Sequence, residues 1–157
     1  MRLKFCSMYI ILIMSTLFLL LGCSSSTPPL SSITLSFTSK SDLNPDINSR
    51  PSPVDICIFQ LRTSDHFLQS KFFDLYTQAT EALDKSLIEE HNIELTMNQT
   101  RKLNITLDKE TQYLGFLVAY YDLEHAKWRD IKSISTLTGN ITITLNARDF
   151  LIETSPS

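Results

Sequence analysis

Ile33-Thr34-Leu35-Ser36-Phe37-Thr38 and Asn140-Ile141-Thr142-Ile143-Thr144-Leu145 decide the fold. In both, apolar and polar residues alternate with a period of two, the pattern of a strand with one face in a core and the other in solvent. Working inward from these two segments, the same period recurs in Ile93, Leu95 and Met97, and again in Leu103, Ile105 and Leu107. Val54 to Leu61 reads as a strand buried on both faces, and the nearly all-apolar Tyr113 to Tyr121 as a central strand. Lys127 to Ile134 is a weaker strand with Trp128 turned inward. About seven short strands result, and the short gaps imply antiparallel connections. The period changes once. Leu68, Phe72, Leu75, Tyr76, Ala79 and Leu83 fall on one stripe of a helix, with Ser64 or Asp65 as N-cap. The expected architecture is an all-β sandwich with a helical insertion, about 65–90 and broken near Asp84, between the second and third strands.

The composition suits one domain. The chain has 157 residues, 43% of them hydrophobic, with only 3 Gly and 6 Pro, which excludes a fibrous or disordered polymer. Arg2 and Lys4 are the only charges before Cys23, so the remainder holds 12 bases against 17 acids. A mildly acidic body lacks the basic groove that nucleic acid requires, and no nucleic-acid partner is expected.

Residues 1–22 read as an address. A charged start precedes the fourteen residues Met8 to Leu21, an apolar run too short for a permanent span, which needs about 20 residues. Leu20-Leu21-Gly22-Cys23 then resembles the bacterial lipobox. The chemistry needs a thiol to become a thioether to diacylglycerol, and a small residue before it where the signal peptidase cuts. Residues 1–22 are thus a lipoprotein-type signal peptide, and 23–32 a lipidated Cys followed by a flexible Ser- and Pro-rich tether. Two or more acyl chains on Cys23 anchor firmly where one would not. Ser24 is not the Asp that retains lipoproteins at the inner membrane, so the expected destination is the outer membrane, periplasmic face. Cys6 leaves with the signal, and Cys57, inside an apolar strand, reads as a small buried hydrophobe rather than a nucleophile.

Catalytic signals are sparse. His66, His91 and His125 stand in no metal-ligand spacing, and Asp122-Leu123-Glu124-His125 reads as a solvated turn. There is no G-x-S-x-G, and a chain with three glycines has little with which to build a phosphate loop. Neither an enzyme nor a cofactor, beyond the covalent lipid on Cys23, is expected. The sequons at Asn98, Asn104 and Asn140 are strand and turn composition. Tyr120, Tyr121 and Trp128 are the aromatics that could stack on cell-wall sugars, so a periplasmic module contacting peptidoglycan or sugars is the alternative function. Ser41 to Pro53 carries three prolines and Asn44, Asp46 and Asn48; it is longer than a hairpin needs, the character of a functional loop.

Three blocks together carry a resemblance: Asn44-Pro45 with Arg50-Pro51-Ser52-Pro53-Val54 and Phe59-Gln60-Leu61; Phe67 with Phe72-Phe73 and Leu75-Tyr76; and Leu114 to Leu123 followed by Trp128-Arg129. Their order and spacing behind a lipobox resemble the TssJ (SciN, VasD) family, the outer-membrane lipoproteins of type VI secretion systems. Ser49 departs from the Gly that the family often places before Arg-Pro-Ser-Pro. The resemblance implies a transthyretin-like sandwich with extra helices. It also implies binding to the periplasmic C-terminal part of TssM, and through it TssL, by the loop between the first two strands. Here that loop gives Leu43, Asn44, Pro45, Asp46, Ile47, Asn48 and Arg50 as partner-binding candidates. Deleting 43–50 is expected to abolish binding without unfolding the domain.

Overall fold

The computed structural model describes residues 31–137 and 139–155. The signal segment, Cys23 and the tether up to residue 30 lie outside the described residues. Eight strands form two sheets: β1 (Ser32–Ser39), β2 (Val54–Leu61), β3 (Leu87–Leu95), β4 (Thr100–Thr106), β5 (Tyr113–Val118), β6 (Arg129–Ser133), β7 (Asn140–Leu145) and β8 (Phe150–Ser155). One sheet runs β4-β1-β7-β8 and the other β3-β2-β5-β6. Alternate residues of each strand meet between the sheets, where Leu35, Phe37, Ile56, Ile58, Phe116, Ile141, Ile143 and Leu145 are buried.

The expected sandwich is present, with two corrections. The eighth strand, β8, escapes a period-two reading because only Phe150 and, partly, Ile152 face the core of an edge strand. And β1 pairs with β7 in parallel, Phe37 beside Ile143, because five strands lie between them and successive strands alternate in direction between the two ends of the sandwich. The remaining pairs are antiparallel.

The helical insertion is three short helices rather than one: α1 (Asp65–Gln69), α2 (Phe72–Thr77) and α3 (Ala79–Leu83), followed by a 3-10 turn over Asp84–Ser86. Residues 87–90 belong to β3. The chain leaves helical geometry at Ser70 (ψ 150°) and at Gln78 (φ −141°), so the inward positions are re-indexed at each break. Phe67, Leu75, Ala79 and Leu83 are buried, whereas Leu68 and Tyr76 are exposed. The insertion lies on the outer face of the second sheet, over Cys57, Phe59, Leu61 and Leu117. Gly115 makes that contact close: a Cβ there would lie 2.9 Å from the Phe67 ring. Arg129 holds the insertion down, its Nη1 donating to the carbonyls of Phe67 (3.2 Å) and Ser70 (2.9 Å), which α1 leaves without intrahelical partners. Cys57 is buried here, and burial pushes its thiol pKa up to about 12, consistent with packing rather than reactivity.

Strand directions divide the connections between two poles. At one pole lie Ser31 at the start of the described chain, the insertion's two ends, 107–112 and 134–139. There the fully buried Gln60 donates to Glu89 and to Thr106 O, and accepts from Asp108 N and Thr111 Oγ1, closing the bottom of the core. At the other pole lie 40–53, 96–99, 119–128 and 146–149. An eight-residue strand sets them roughly 26 Å apart.

Candidate interaction surface

The 40–53 segment crosses from the first sheet to the second, and its composition dictates how it does so. Leu43 turns into the core and is fully buried. Asn44 follows with φ 45°, a left-handed conformation that Asn tolerates better than most residues. Its side chain is buried, donating from Nδ2 to Pro53 O (2.7 Å) and accepting from the Tyr121 backbone N–H (2.6 Å) at Oδ1. One amide thus ties both ends of the loop to each other and to the 119–128 connection.

Beyond Asn44 the chain forms a miniature hairpin. Pro45 and Pro51 face each other, and their neighbours make the bonds that prolines cannot: Ser52 N–H donates to Asn44 O (3.2 Å) and Asp46 N–H to Arg50 O (2.9 Å). Asp46 fills the inside of the turn. Its Oδ1 accepts from the N–H groups of Asn48 (2.8 Å) and Arg50 (2.9 Å), and its Oδ2 accepts from Arg50 Nε (2.8 Å), with Nη2 of the same ion pair at 2.7 Å. The side-chain bond from Arg50, more than any other influence, holds the Asp46 carboxyl below its ordinary pKa. Ser49 occupies the left-handed region at φ 60°, where glycine sits freely and Ser is strained. Ile47 is left at the tip, 83% exposed.

The candidates therefore separate by role. Ile47, Asn48 and Arg50 face outward, and Pro45 is half-buried beside them. Leu43 and Asn44 are buried and brace the loop; Asp46 spends its carboxylate on the turn. Expecting 43–50 to be removable without unfolding is corrected on this ground: the deletion would take out a core residue and the loop's main clamp.

Two residues outside the loop complete the surface. Tyr121, 64% exposed, and Arg148 line a groove of about 330 Å³ with Pro45, Ile47, Ser49 and Asp122. Asp122 accepts a hydrogen bond from His125 Nδ1 (2.8 Å) at Oδ1 and is ion-paired with Arg148, whose Nε lies 2.9 Å from Oδ2. The hydrogen bond between Asp122 and His125 raises the imidazole pKa and lowers the carboxyl. No local pattern points to Arg148, which arrives from the β7–β8 turn. Tyr121 carried only the signal of an aromatic at the end of an apolar strand. Among the three aromatics considered for sugars, Tyr120 is buried with its hydroxyl on Asp149 O. Trp128 is half-buried, in a T-shaped contact with Phe72 and with the Arg129 guanidinium over its ring, so one face is already occupied. Among the described residues no cluster of His, Cys, Asp and Glu could hold a metal ion.

A two-sheet sandwich with a helical patch on one outer face and a self-braced, Pro-framed loop at one pole defines the structural class. The model of the type VI secretion lipoprotein family (SciN, VasD, EvfM, TssJ) matches residues 31–149, and the chain belongs to that family. The crystal structure of the type VI lipoprotein TssJ1 from Pseudomonas aeruginosa is 28% identical with a TM-score of 0.78, covering 82% of this chain and 99% of that one. Serratia marcescens Lip, a membrane-bound component of the type VI secretion system, is 22% identical with a TM-score of 0.73, over 82% of this chain and 99% of its own. A chain in the structure described as the TssM C-terminal domain (869–1107) from EAEC shares the fold at 16% identity, with a TM-score of 0.70, over 79% and 98% of the two chains. By sequence, no curated protein matches the chain. The family is one of structural secretion lipoproteins, and the fold is theirs.

Proposed function

We propose that the protein is held on the periplasmic face of the outer membrane by lipid on Cys23, and that its loop pole binds the periplasmic C-terminal part of TssM. Through TssM it joins TssL, and so links the trans-envelope secretion complex to the outer membrane. The role is mechanical, without catalysis or a cofactor beyond the covalent lipid.

The observation that carries this reading is the loop's construction. A turn closed by Asp46 and Arg50, framed by prolines and clamped by Asn44 leads Ile47 outward with little conformational freedom left to lose on docking. Its position supports the same reading. The tether joins β1 at the opposite pole, so a chain lying with that pole toward the membrane would present the loop away from it. Ser31 and Ser32, expected in the tether, are tied into the sandwich, Ser31 O accepting from Leu107 N–H and Ser32 opening β1. The tether between Cys23 and the fold is therefore residues 24–30, which reach about 25 Å at full extension, enough to let the sandwich orient under load.

The strands among the described residues lie within residues 32–155, so the chain from residue 24 onward contains the described sandwich. Titrating it with the TssM periplasmic part should give binding, and Ile47→Asp should weaken it by about 30-fold or more at an unchanged melting temperature, as loss of a central apolar anchor does. Absence of binding by the unaltered chain would refute the reading. Retention on sacculi in its place would favour the sugar-binding alternative.

A further inference from the structure

The groove beside the loop has a hydrogen-bonding balance of its own, and it describes what fits there. Its two carboxylates are committed: Asp46 accepts three hydrogen bonds within the loop and is ion-paired with Arg50, and Asp122 accepts one hydrogen bond from His125 and is ion-paired with Arg148. Its guanidinium is not: Arg148 holds only Nε against Asp122, leaving both terminal nitrogens without a partner among the described residues, and its side chain is 54% exposed. Ile47 and Tyr121 line the same groove and are the two large apolar side chains that it exposes. A surface with spare donors beside an apolar pair complements a segment that brings an acceptor beside an apolar side chain.

We infer that the groove between the 40–53 loop and Tyr121–Arg148 receives from the partner an aliphatic or aromatic anchor flanked by a carboxylate, the anchor seated between Ile47 and Tyr121 and the carboxylate on Arg148. Arg148 thereby becomes a specificity-determining residue and Tyr121 a contact residue of the interface. This rests on the TssM-binding reading above. Asn44 is its positioning residue, since the single amide that clamps the loop also holds the Tyr121 backbone and so sets the spacing of the two apolar walls.

The test is a titration of the chain from residue 24 onward with the TssM periplasmic part at two salt concentrations. Tyr121→Ala should weaken binding by about 30-fold and Tyr121→Phe by no more than about threefold, because the wall and not the hydroxyl is used. Arg148→Gln should weaken binding by about tenfold at low salt and flatten the salt dependence of the affinity. Both side chains are exposed, so the variants should melt with the unaltered protein. If Ile47→Asp weakens binding while Tyr121→Ala and Arg148→Gln do not, the groove is not the seat and the inference is overturned with the TssM reading intact. If Tyr121→Ala weakens binding and Arg148→Gln alters neither affinity nor its salt dependence, the assigned carboxylate is overturned. If the unaltered chain does not bind, both fall together.

Discussion

Replacing Asn44 by Ala separates a bracing residue from a contact residue. The substitution removes the donor to Pro53 O and the acceptor for Tyr121 N–H, both partly buried, and each orphaned group costs about 1–2 kcal/mol. It also places Ala at φ 45°, where an L side chain without a local hydrogen bond costs about 1 kcal/mol more. The sum is about 3–5 kcal/mol, a large part of a typical domain's stability, equivalent to roughly 10–15 °C in melting temperature at this chain length. Asn44→Gly loses the same two bonds but none of the backbone freedom at φ 45°, so it should lie above Ala by about 0.5–1 kcal/mol. Urea unfolding of the chain from residue 24 onward, followed by circular dichroism, reads both differences. A cost below about 1 kcal/mol for Ala, or Gly less stable than Ala, would show that the amide does not clamp the loop.

Three further outcomes follow from other contacts. Gly115→Ala should destabilise by about 1–3 kcal/mol in the same unfolding assay, since its Cβ meets the ring of a fully buried Phe67 that has nowhere to retreat; a neutral substitution would mean the insertion sits loosely on the sheet. Ser49→Gly should stabilise by about 0.5 kcal/mol, the relief at φ 60° exceeding the extra entropy of unfolded glycine; loss of stability would contradict the strain assigned there. His125 should titrate above its ordinary value of 6.5 by NMR and return toward it in Asp122→Asn. The sign follows from the raised imidazole: the pair's contribution is fully present below about pH 6.5 and fades as pH rises through the folded-state value, while the lowered Asp122 withdraws it again in acid. An unchanged His125 titration in Asp122→Asn would show that the pairing is not populated in solution.

The strands were legible where one face of the sheet meets the core and the other meets water. Leu35 and Phe37, and Ile141, Ile143 and Leu145, alternate because burial alternates. The parallel β1–β7 pairing was not legible, because residue period says neither which strands become neighbours nor how many strands lie between them, and that number sets their relative direction. The helical insertion was legible as a change of period and misleading in detail: two breaks shift the buried positions, so Phe67 replaces Leu68 beneath the helices. The loop at 41–53 stood out through its prolines and Asx residues, but composition gives no order of exposure. Asn44 and Ile47 are both turn-region residues in sequence; only the two hydrogen bonds at Asn44 distinguish the clamp from the exposed tip. Arg148 lies about a hundred residues from the loop it joins, and no local pattern could connect them.

Cross-linking from the two poles in living cells asks most directly whether this sandwich spans between lipid and partner. A photoreactive residue at position 47, on the loop pole, and another at position 109, in the 107–112 connection on the tether pole, would be placed in the full chain with Cys23 intact. The account predicts cross-links to TssM from position 47 and none from position 109. Cross-links to TssM from 109 with silence at 47 would contradict it.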